Sequence, residues 1–336
     1  MPSFPGFLTR LRLELAGLRL VAPLIEASTR PAGAILRFAR VRPARPGAFQ
    51  PLKRDEVTPE FLDGVLRALR RWHYDIIPIG EVVSRAEAGG GRFVCLTFDG
   101  GSRDLIEYAA PVLKRHMAPF TLYLPTGFLD GVGEAWWLAL EQVVATHSRI
   151  SLVINGEERR FKLGSTSEKH DVYDYLGNWL RGLPPAERTN AIGDLCKRHG
   201  ADLASASRAF AMTWDDVAGL AADPLVTIGT ATVHWPALSS LSPAEAAREI
   251  RMGRAVAEAA TGRSLPHFAY PSDAAGYGRR EIGLAAEAGL ATAATTNPGV
   301  IMQSARPDPL ALPRVTIDGR MPSLRVLRAQ LAGAKA

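Results

Sequence analysis

The stretch from residue 93 to residue 131 constrains the fold more than any other part of the chain. Residues 93–98 form an apolar run rich in β-formers that ends in Asp99, and the two glycines that follow permit a tight turn. Residues 104–116 place apolar side chains at helical spacing, and residues 120–124 predict a second buried strand. This order predicts a βαβ unit, and therefore a parallel sheet or barrel. Ligands of such folds bind beyond the carboxyl ends of the strands, where Asp99 would lie.

Composition bounds the class of protein. With 336 residues, 47% of them apolar, the chain can bury one barrel-sized domain with an insertion, or two domains. The net charge of +6 comes mostly from scattered arginines. A surplus of this size is typical of proteins that contact acidic glycans or anionic lipid, and it is equally compatible with a basic surface that only contacts water. No basic run is interleaved with aromatic residues, so nucleic acid is not expected as a partner. Cys95 and Cys196 have neither disulfide nor ligand spacing and are predicted to be buried thiols.

The leader, residues 1–33, contains an apolar stretch at 7–27 that is interrupted by Arg10, Arg12 and Arg19. It lacks the uninterrupted apolar core of a signal peptide and is too charged to span a bilayer. We predict one amphipathic helix here. It docks on the body of the protein, or it lies on a membrane surface with its arginines toward lipid phosphates. A cytoplasmic location is expected, with membrane association as the alternative.

The rest of the chain alternates predicted strands and helices. Thr58 and Pro59 mark a helix start, and the Ser242 capping box opens a second, longer helix. Between them, residues 132–212 contain helix patterns and a short hairpin but no obvious chemistry. We interpret this segment as an insertion that covers one side of the site.

Four motifs then suggest a family. T-F-D-G-G at 97–101, followed by L-Y-L-P-T-G-F-L-D-G at 122–131, resembles the first motif of the NodB-type polysaccharide deacetylases, which are metal-dependent carbohydrate esterases. I-G-T-A-T-V-H-W-P-A-L at 228–238 resembles the second motif of that family. F-A-Y-P at 268–271 and L-P-R-V at 312–315 resemble two later elements.

The resemblance covers roughly residues 34–319 and implies an α/β fold, a distorted (β/α)7 barrel with a helical insertion. The implied division is a leader at 1–33, a barrel at 34–320 that contains the insertion at 132–212, and a basic C-terminal helix at 321–336. Function still has to be argued from the site, because one fold carries many activities.

The chain departs from the family pattern at the metal site. Family members read T-F-D-D-G, where the first Asp is the catalytic base and the second binds a divalent metal together with two histidines. Asp99 keeps the first position, but Gly100, Ala231 and Trp235 occupy the three ligand positions. His234 lies one residue before a histidine position and is expected to point elsewhere. No metal is therefore expected, although zinc or another divalent ion would be needed if the family chemistry survives.

The resemblance also implies a sugar site. Asp99 is predicted either as a surviving base or as a turn carboxylate that caps the next helix. Arg314 is expected near the rim of the pocket. The residues predicted to contact a sugar are Trp235, Tyr270, Pro271, Arg314 and His234.

Three hypotheses for function follow. The first is a deacetylase-family protein that acts on or binds glycans with N-acetylated amino sugars, such as polysaccharides or chitooligosaccharides, with hydrolysis impaired or lost. The second is a catalytically silent protein that binds a glycan or a partner enzyme of polysaccharide biosynthesis. The third is a scaffold at a membrane surface that uses the leader helix.

Overall fold

The computed structural model describes residues 7–89, 91–271, 277–303 and 306–334. The strands of these ranges are β1 (Pro31–Phe38), β2 (Arg40–Val41), β3 (Glu56–Val57), β4 (Asp75–Ile76), β5 (Phe93–Asp99), β6 (Phe120–Leu124), β7 (Arg149–Ile154), β8 (Glu157–Lys162), β9 (Val226–Thr230), β10 (His267–Ala269), β11 (Thr292–Pro298), β12 (Ile301–Met302) and β13 (Leu312–Thr316). The helices are α1 (Phe7–Ala16), α2 (Ala22–Thr29), α3 (Pro59–Arg71), α4 (Val82–Ala88), α5 (Ala110–Arg115), α6 (Thr126–Leu129), α7 (Trp136–Thr146), α8 (Thr166–Gly182), α9 (Pro185–His199), α10 (Leu203–Phe210), α11 (Trp214–Ala221), α12 (Pro243–Thr261), α13 (Arg279–Glu287) and α14 (Leu324–Leu331).

Seven parallel strands close into a barrel. Their order around the ring is β1, β5, β6, β9, β10, β11 and β13, and β13 pairs with β1 to complete the circle. Two short strands lie outside the ring, where β12 runs antiparallel to β1 and β4 runs parallel to β5. The predicted distorted (β/α)7 barrel is confirmed.

The barrel strands are buried on both faces, as expected for parallel strands covered by helices. Every residue of β1, β5 and β6 is buried. The helices that cover them begin with the local signals that the sequence shows. Thr58 accepts a hydrogen bond from the backbone N–H of Phe61 at the start of α3, and Ser242 forms a full capping box at the start of α12.

The insertion has an apolar cluster of its own. Helices α7 to α10 and the hairpin β7–β8 pack around buried residues that include Leu140, Val144, Ile150, Leu176 and Leu195. The predicted hairpin and the two helices that follow it are thus present. The hairpin pairs Ile154 with Glu157 across a turn in which Asn155 and Gly156 have positive φ, the backbone of a tight two-residue loop.

The leader differs from the prediction of one helix. It forms two helices, because the chain turns between Gly17 and Val21 before α2 begins. Leu13 of α1 is buried against Val326 and Ala329 of α14. A Cβ atom at Gly17 would lie 1.9 Å from the carbonyl oxygen of Arg325, so the close approach of α1 to α14 requires glycine at this position. Within the described ranges, no helix is both long and apolar enough to cross a membrane.

Candidate functional site

The carboxyl ends of the barrel strands bring the four motifs together. Asp99 ends β5, Thr230 ends β9, and Tyr270 directly follows β10. Asp99 is in register with Tyr123 of β6, and Leu124 is in register with Thr230. Because these strands are parallel and hydrogen-bonded in one ring, their last residues lie at the same rim.

Asp99 lies between two arginines. Its Oδ2 accepts a hydrogen bond of 2.6 Å from Nε of Arg37, and its Oδ1 accepts one of 2.7 Å from Nη1 of Arg314. Nη2 of Arg314 adds a contact of 3.0 Å to Oδ2, so this pair is bidentate. Only 2% of the Asp99 side chain is exposed. The carboxylate makes these bonds in place of a cap on the following helix.

These contacts set the protonation of Asp99. Burial alone would raise the pKa of its carboxyl, but the positive charges of Arg314 and Arg37 outweigh burial and hold the pKa below its ordinary value. A general base works best when its pKa is near the working pH. Asp99 is therefore a weak proton acceptor in this structure, and its oxygens are already occupied.

Arg314 bonds to Asp99 near the rim, but its side chain is not exposed there to contact a sugar. It is fully buried, and its Nε donates to the carbonyl oxygen of Thr295 at 2.7 Å. Its guanidinium group also lies 5.9 Å from the centre of the Tyr123 ring. The L-P-R-V pattern places Arg314 in a parallel strand, and its side chain points into the barrel, where it reaches Asp99.

The positions that match metal ligands in the family offer no donor set. Gly100 has φ of +104°, Ala231 is fully buried, and Trp235 carries an indole, which has no lone pair for a metal. Among the residues that the structure describes, no three His, Cys, Asp or Glu side chains lie close enough together to hold a metal ion. Asp273, which follows the F-A-Y-P motif by two residues, lies outside the described residues. The side chains present therefore do not fit the zinc that the family pattern implies.

Trp235 closes one side of the rim. It has an unusual φ of +57° and packs, half-buried, in an aromatic cluster with Phe128, Trp137 and Phe210. Its backbone N–H donates to Oγ1 of Thr232 at 3.0 Å. Since a Cβ atom at Gly100 would lie 3.8 Å from the Phe210 ring, this cluster stands directly beside the missing ligand positions.

His234 is paired with Glu249 of α12. Its Nδ1 lies 2.7 Å from Oε1 of Glu249 on α12, and its backbone N–H donates to the other oxygen of Glu249 at 2.9 Å. The hydrogen bond to Glu249 raises the pKa of the imidazole above its ordinary value. About half of the side chain is exposed, so His234 is a surface residue with a bound partner.

Tyr270 and Pro271 are buried in this structure. The Tyr270 hydroxyl donates to the carbonyl oxygen of Leu310 at 3.0 Å, and its ring stacks on Tyr277 with 4.6 Å between centres. Tyr270 is therefore a packing residue beneath the rim, and neither face of its ring is exposed to a sugar.

Sequence reasoning missed Arg37 and Glu249. Arg37 interrupts the otherwise apolar run G-A-I-L-R-F in β1, and a charged residue inside a buried strand signals a buried partner. Glu249 carries no such signal, because acidic residues are common on the polar face of a helix such as α12.

Comparisons with known proteins agree with the geometry of the fold. Residues 183–293 match the model of a family described as polysaccharide deacetylase. The matched stretch contains Ala231, Trp235 and Tyr270 but not Asp99. No curated protein matches the chain.

Three solved structures share the barrel. Deacetylase PplD of Streptococcus pyogenes, in complex with acetate, matches with a TM-score of 0.55 at 18% identity, over 88% of this chain and 97% of that chain. IcaB from Ammonifex degensii gives 0.56 at 16% identity, over 89% and 97%. A de-N-acetylase from Aggregatibacter actinomycetemcomitans gives 0.56 at 12% identity, over 89% and 99%.

The fold and the matched segment together define the class. Residues 183–293 match the polysaccharide deacetylase family model, and the barrel has the same fold as the solved deacetylases. The match over residues 183–293 supports the predicted family, and the shared barrel confirms the predicted fold. The roles of the individual site residues remain predictions.

Proposed function

We propose that this protein binds a glycan with N-acetylated amino sugars, such as a polysaccharide or chitooligosaccharide, and does not hydrolyse it by the metal-dependent route. One observation carries the proposal. The carboxylate at the family's catalytic-base position is held by Arg37 and Arg314, beside ligand positions occupied by Gly100, Ala231 and Trp235.

The energetics of water activation support the loss of hydrolysis. A bound zinc ion lowers the pKa of water from about 15.7 to about 7, which corresponds to roughly 12 kcal/mol. Asp99 has a lowered pKa and two cationic partners, so it cannot compensate for a difference of this size.

The exposed part of the rim supports glycan binding. Trp235 and Trp137 are half-buried, and both belong to the aromatic cluster beside the strand ends. Rings in such positions can stack on the apolar face of a sugar. His234, exposed and paired with Glu249, adds a polar group next to Trp235.

A second candidate is binding of a partner enzyme of polysaccharide biosynthesis. It is favoured by the burial of Tyr270, Pro271 and Arg314, because three of the five predicted sugar contacts face no solvent. In this case the rim of the barrel binds the partner enzyme.

We infer a cytoplasmic location as part of this proposal. Cys95 and Cys196 are both buried and form no disulfide, which suits a reducing compartment. Burial raises the pKa of the Cys95 thiol to about 12, so this cysteine is also unreactive. Fractionation of cells that produce the full chain tests the location, and recovery from the secreted fraction would overturn it.

The main experiment measures glycan binding and acetate release in parallel. Calorimetric titration of the full chain with chitooligosaccharides is expected to show binding, with no acetate released when zinc is supplied. Trp235→Ala is expected to weaken binding at least tenfold. Trp179→Ala, a half-buried indole in the insertion, is the matched control and is expected to leave binding unchanged.

Two results would overturn parts of this proposal. Acetate release by the wild type that Asp99→Asn abolishes, while circular dichroism shows that the variant is still folded, would show that the base is functional. Absence of binding to every N-acetylated glycan, by a folded protein, would favour the partner enzyme.

A further inference from the structure

The exposed leucines of the chain are concentrated in the leader. In the described part of the chain, ten large apolar side chains are exposed, and five of them lie between residues 11 and 24. They are Leu11, Leu15, Leu18, Leu20 and Leu24, exposed by 46%, 55%, 36%, 84% and 72%. Soluble proteins rarely group apolar residues in this way without a use for them.

The leucines of α1 face away from the body of the protein. Leu11 and Leu15 are four residues apart and therefore share one face of the helix. Leu13 lies about 200° around the helix from Leu11, and it is Leu13 that packs on α14. The exposed face is thus opposite the docked face.

Arginines flank this apolar face. Arg10 and Arg12 precede and follow Leu11, about 100° to either side of it on the helix, and both are exposed. Arg19 lies between Leu18 and Leu20 and is exposed as well. Glu14 lies at the same edge, and the three arginines leave the leader face with a net positive charge. An apolar stripe with a surplus of basic residues is the pattern of helices that lie in the interface of a membrane.

A basic cleft lies beside α2. Its volume is about 250 Å³, and Ala22, Pro23 and Glu26 of α2 form one wall. The opposite wall contains Arg71, Arg92, Arg328 and the ring of Trp72.

The cations of this cleft are not all neutralised. Arg92 forms an ion pair with Glu26, and Arg328 lies 5.6 Å from the centre of the Trp72 ring. Within the described ranges, neither Arg71 nor Arg328 forms an ion pair with a carboxylate. The cleft therefore has a surplus of positive charge beside α2, the helix that carries the exposed Leu24.

An apolar cavity lies on the other side of the leader. It has a volume of about 370 Å³ and lies between α1, α2 and the turn after α14. Leu13, Ala16 and Ile25 line it, with Arg12 at its edge.

We propose that the leader, residues 7–30, together with the basic cleft, docks this protein on the surface of an anionic lipid bilayer. The leucines enter the interface, and Arg71 and Arg328 contact lipid phosphates. The positive charge favours an anionic bilayer over a protein partner, because exposed arginines lie along the leucine face and the cleft beside α2 is basic. This surface is separate from the barrel rim and does not depend on the function proposed for the rim.

Vesicle flotation with the full chain tests the proposal. Binding is expected to vesicles that contain 30% phosphatidylglycerol, to fall as salt is raised, and to be at least tenfold weaker on pure phosphatidylcholine. The triple variant Leu15→Gln, Leu20→Gln, Leu24→Gln is expected to lose at least tenfold in partition. Its matched control changes three exposed apolar residues elsewhere, Met117→Gln, Val132→Gln and Met252→Gln, and is expected to bind within twofold of wild type.

The cleft has its own pair of variants. Arg71→Gln with Arg328→Gln is expected to weaken binding to anionic vesicles at least fivefold, whereas Arg159→Gln with Arg160→Gln on β8 leaves it unchanged. All substituted leucines are exposed, so a circular dichroism spectrum like that of wild type is expected for each variant.

Three outcomes would overturn the proposal. These are no vesicle binding by wild type, equal binding to neutral and anionic vesicles, and wild-type binding by the leucine variant. Self-association that the leucine variant abolishes, without vesicle binding, would instead make this face an interface between copies of the chain.

Discussion

Asp99 lies between two buried arginines, and this makes it important for stability. Removing one partner of a buried ion pair leaves the other charge uncompensated, which costs about 3–5 kcal/mol. We expect Asp99→Asn to lower the free energy of unfolding in urea by about this amount. Asp75→Asn is the control, because Asp75 is 65% exposed and its pair with Arg85 is worth roughly 1 kcal/mol or less. Equal effects of the two substitutions would contradict the claim that Asp99 forms buried ion pairs with Arg37 and Arg314.

The pH dependence of stability follows from the lowered pKa of Asp99. A carboxyl whose pKa is lower in the folded state contributes stability above its unfolded pKa, about 3.9, and loses it as the pH falls through the folded pKa. The stability difference between wild type and Asp99→Asn is therefore expected to be constant from pH 5 to 8 and to shrink below about pH 4. A difference that changes between pH 6 and 8 would mean that Asp99 has the raised pKa of a working base.

The backbone conformation of Gly100 disfavours the aspartate that the family has at this position. Its φ of +104° is a conformation that other residues adopt at a cost of about 1–3 kcal/mol. Gly100→Asp alone is thus expected to destabilise the protein in thermal unfolding. Gly64→Asp, at a position with open space and ordinary φ on α3, serves as control and is expected to have a smaller effect. A stability unchanged by Gly100→Asp would show that the turn rearranges freely.

At the scale of elements, α12 fixes the loop that carries Ala231 and Trp235. A Cβ atom at Gly253 would lie 2.8 Å from the carbonyl oxygen of Ala231 and 3.0 Å from the backbone of Thr232. Gly253→Ala is therefore expected to destabilise the protein by about 1–3 kcal/mol, against the usual preference for alanine in helices. Gly219→Ala on α11, where the space is open, is expected to stabilise it by about 0.5–1 kcal/mol. Stabilisation by both changes would show that the loop is not held by the helix.

Most elements could be predicted from local patterns in the sequence. The strand at residues 120–124 was predicted with the bounds that the structure has, because its apolar run is continuous. The break between α1 and α2 could not be predicted, since it depends on the contact of Gly17 with Arg325, about 300 residues away in the chain. The burial of Arg314 could not be predicted for a similar reason. Its partner Asp99 lies 215 residues earlier in the chain, and only closure of the barrel brings the two side chains together.

At the scale of the whole molecule, the barrel has the fold of the solved deacetylases, while the positions that match the family's metal ligands hold Gly100, Ala231 and Trp235. The sequence identified the fold and the substituted ligand positions, because both rest on short motifs. It could not show that Arg37 and Arg314 neutralise Asp99, since that requires three strands to meet. The triple variant Gly100→Asp, Ala231→His, Trp235→His is expected to gain zinc binding at a cost in stability, and calorimetry with zinc measures it.

The zinc content of the wild-type protein tests the central claim most directly. The full chain, purified without chelator and dialysed against zinc, is analysed for metal by mass spectrometry. A stoichiometry far below one zinc per chain is expected, because the ligand positions hold a glycine, an alanine and an indole, and Asp99 is occupied by two arginines. About one zinc per chain, lost on His234→Ala, would contradict this account and make the protein a metal-dependent deacetylase with a displaced ligand set.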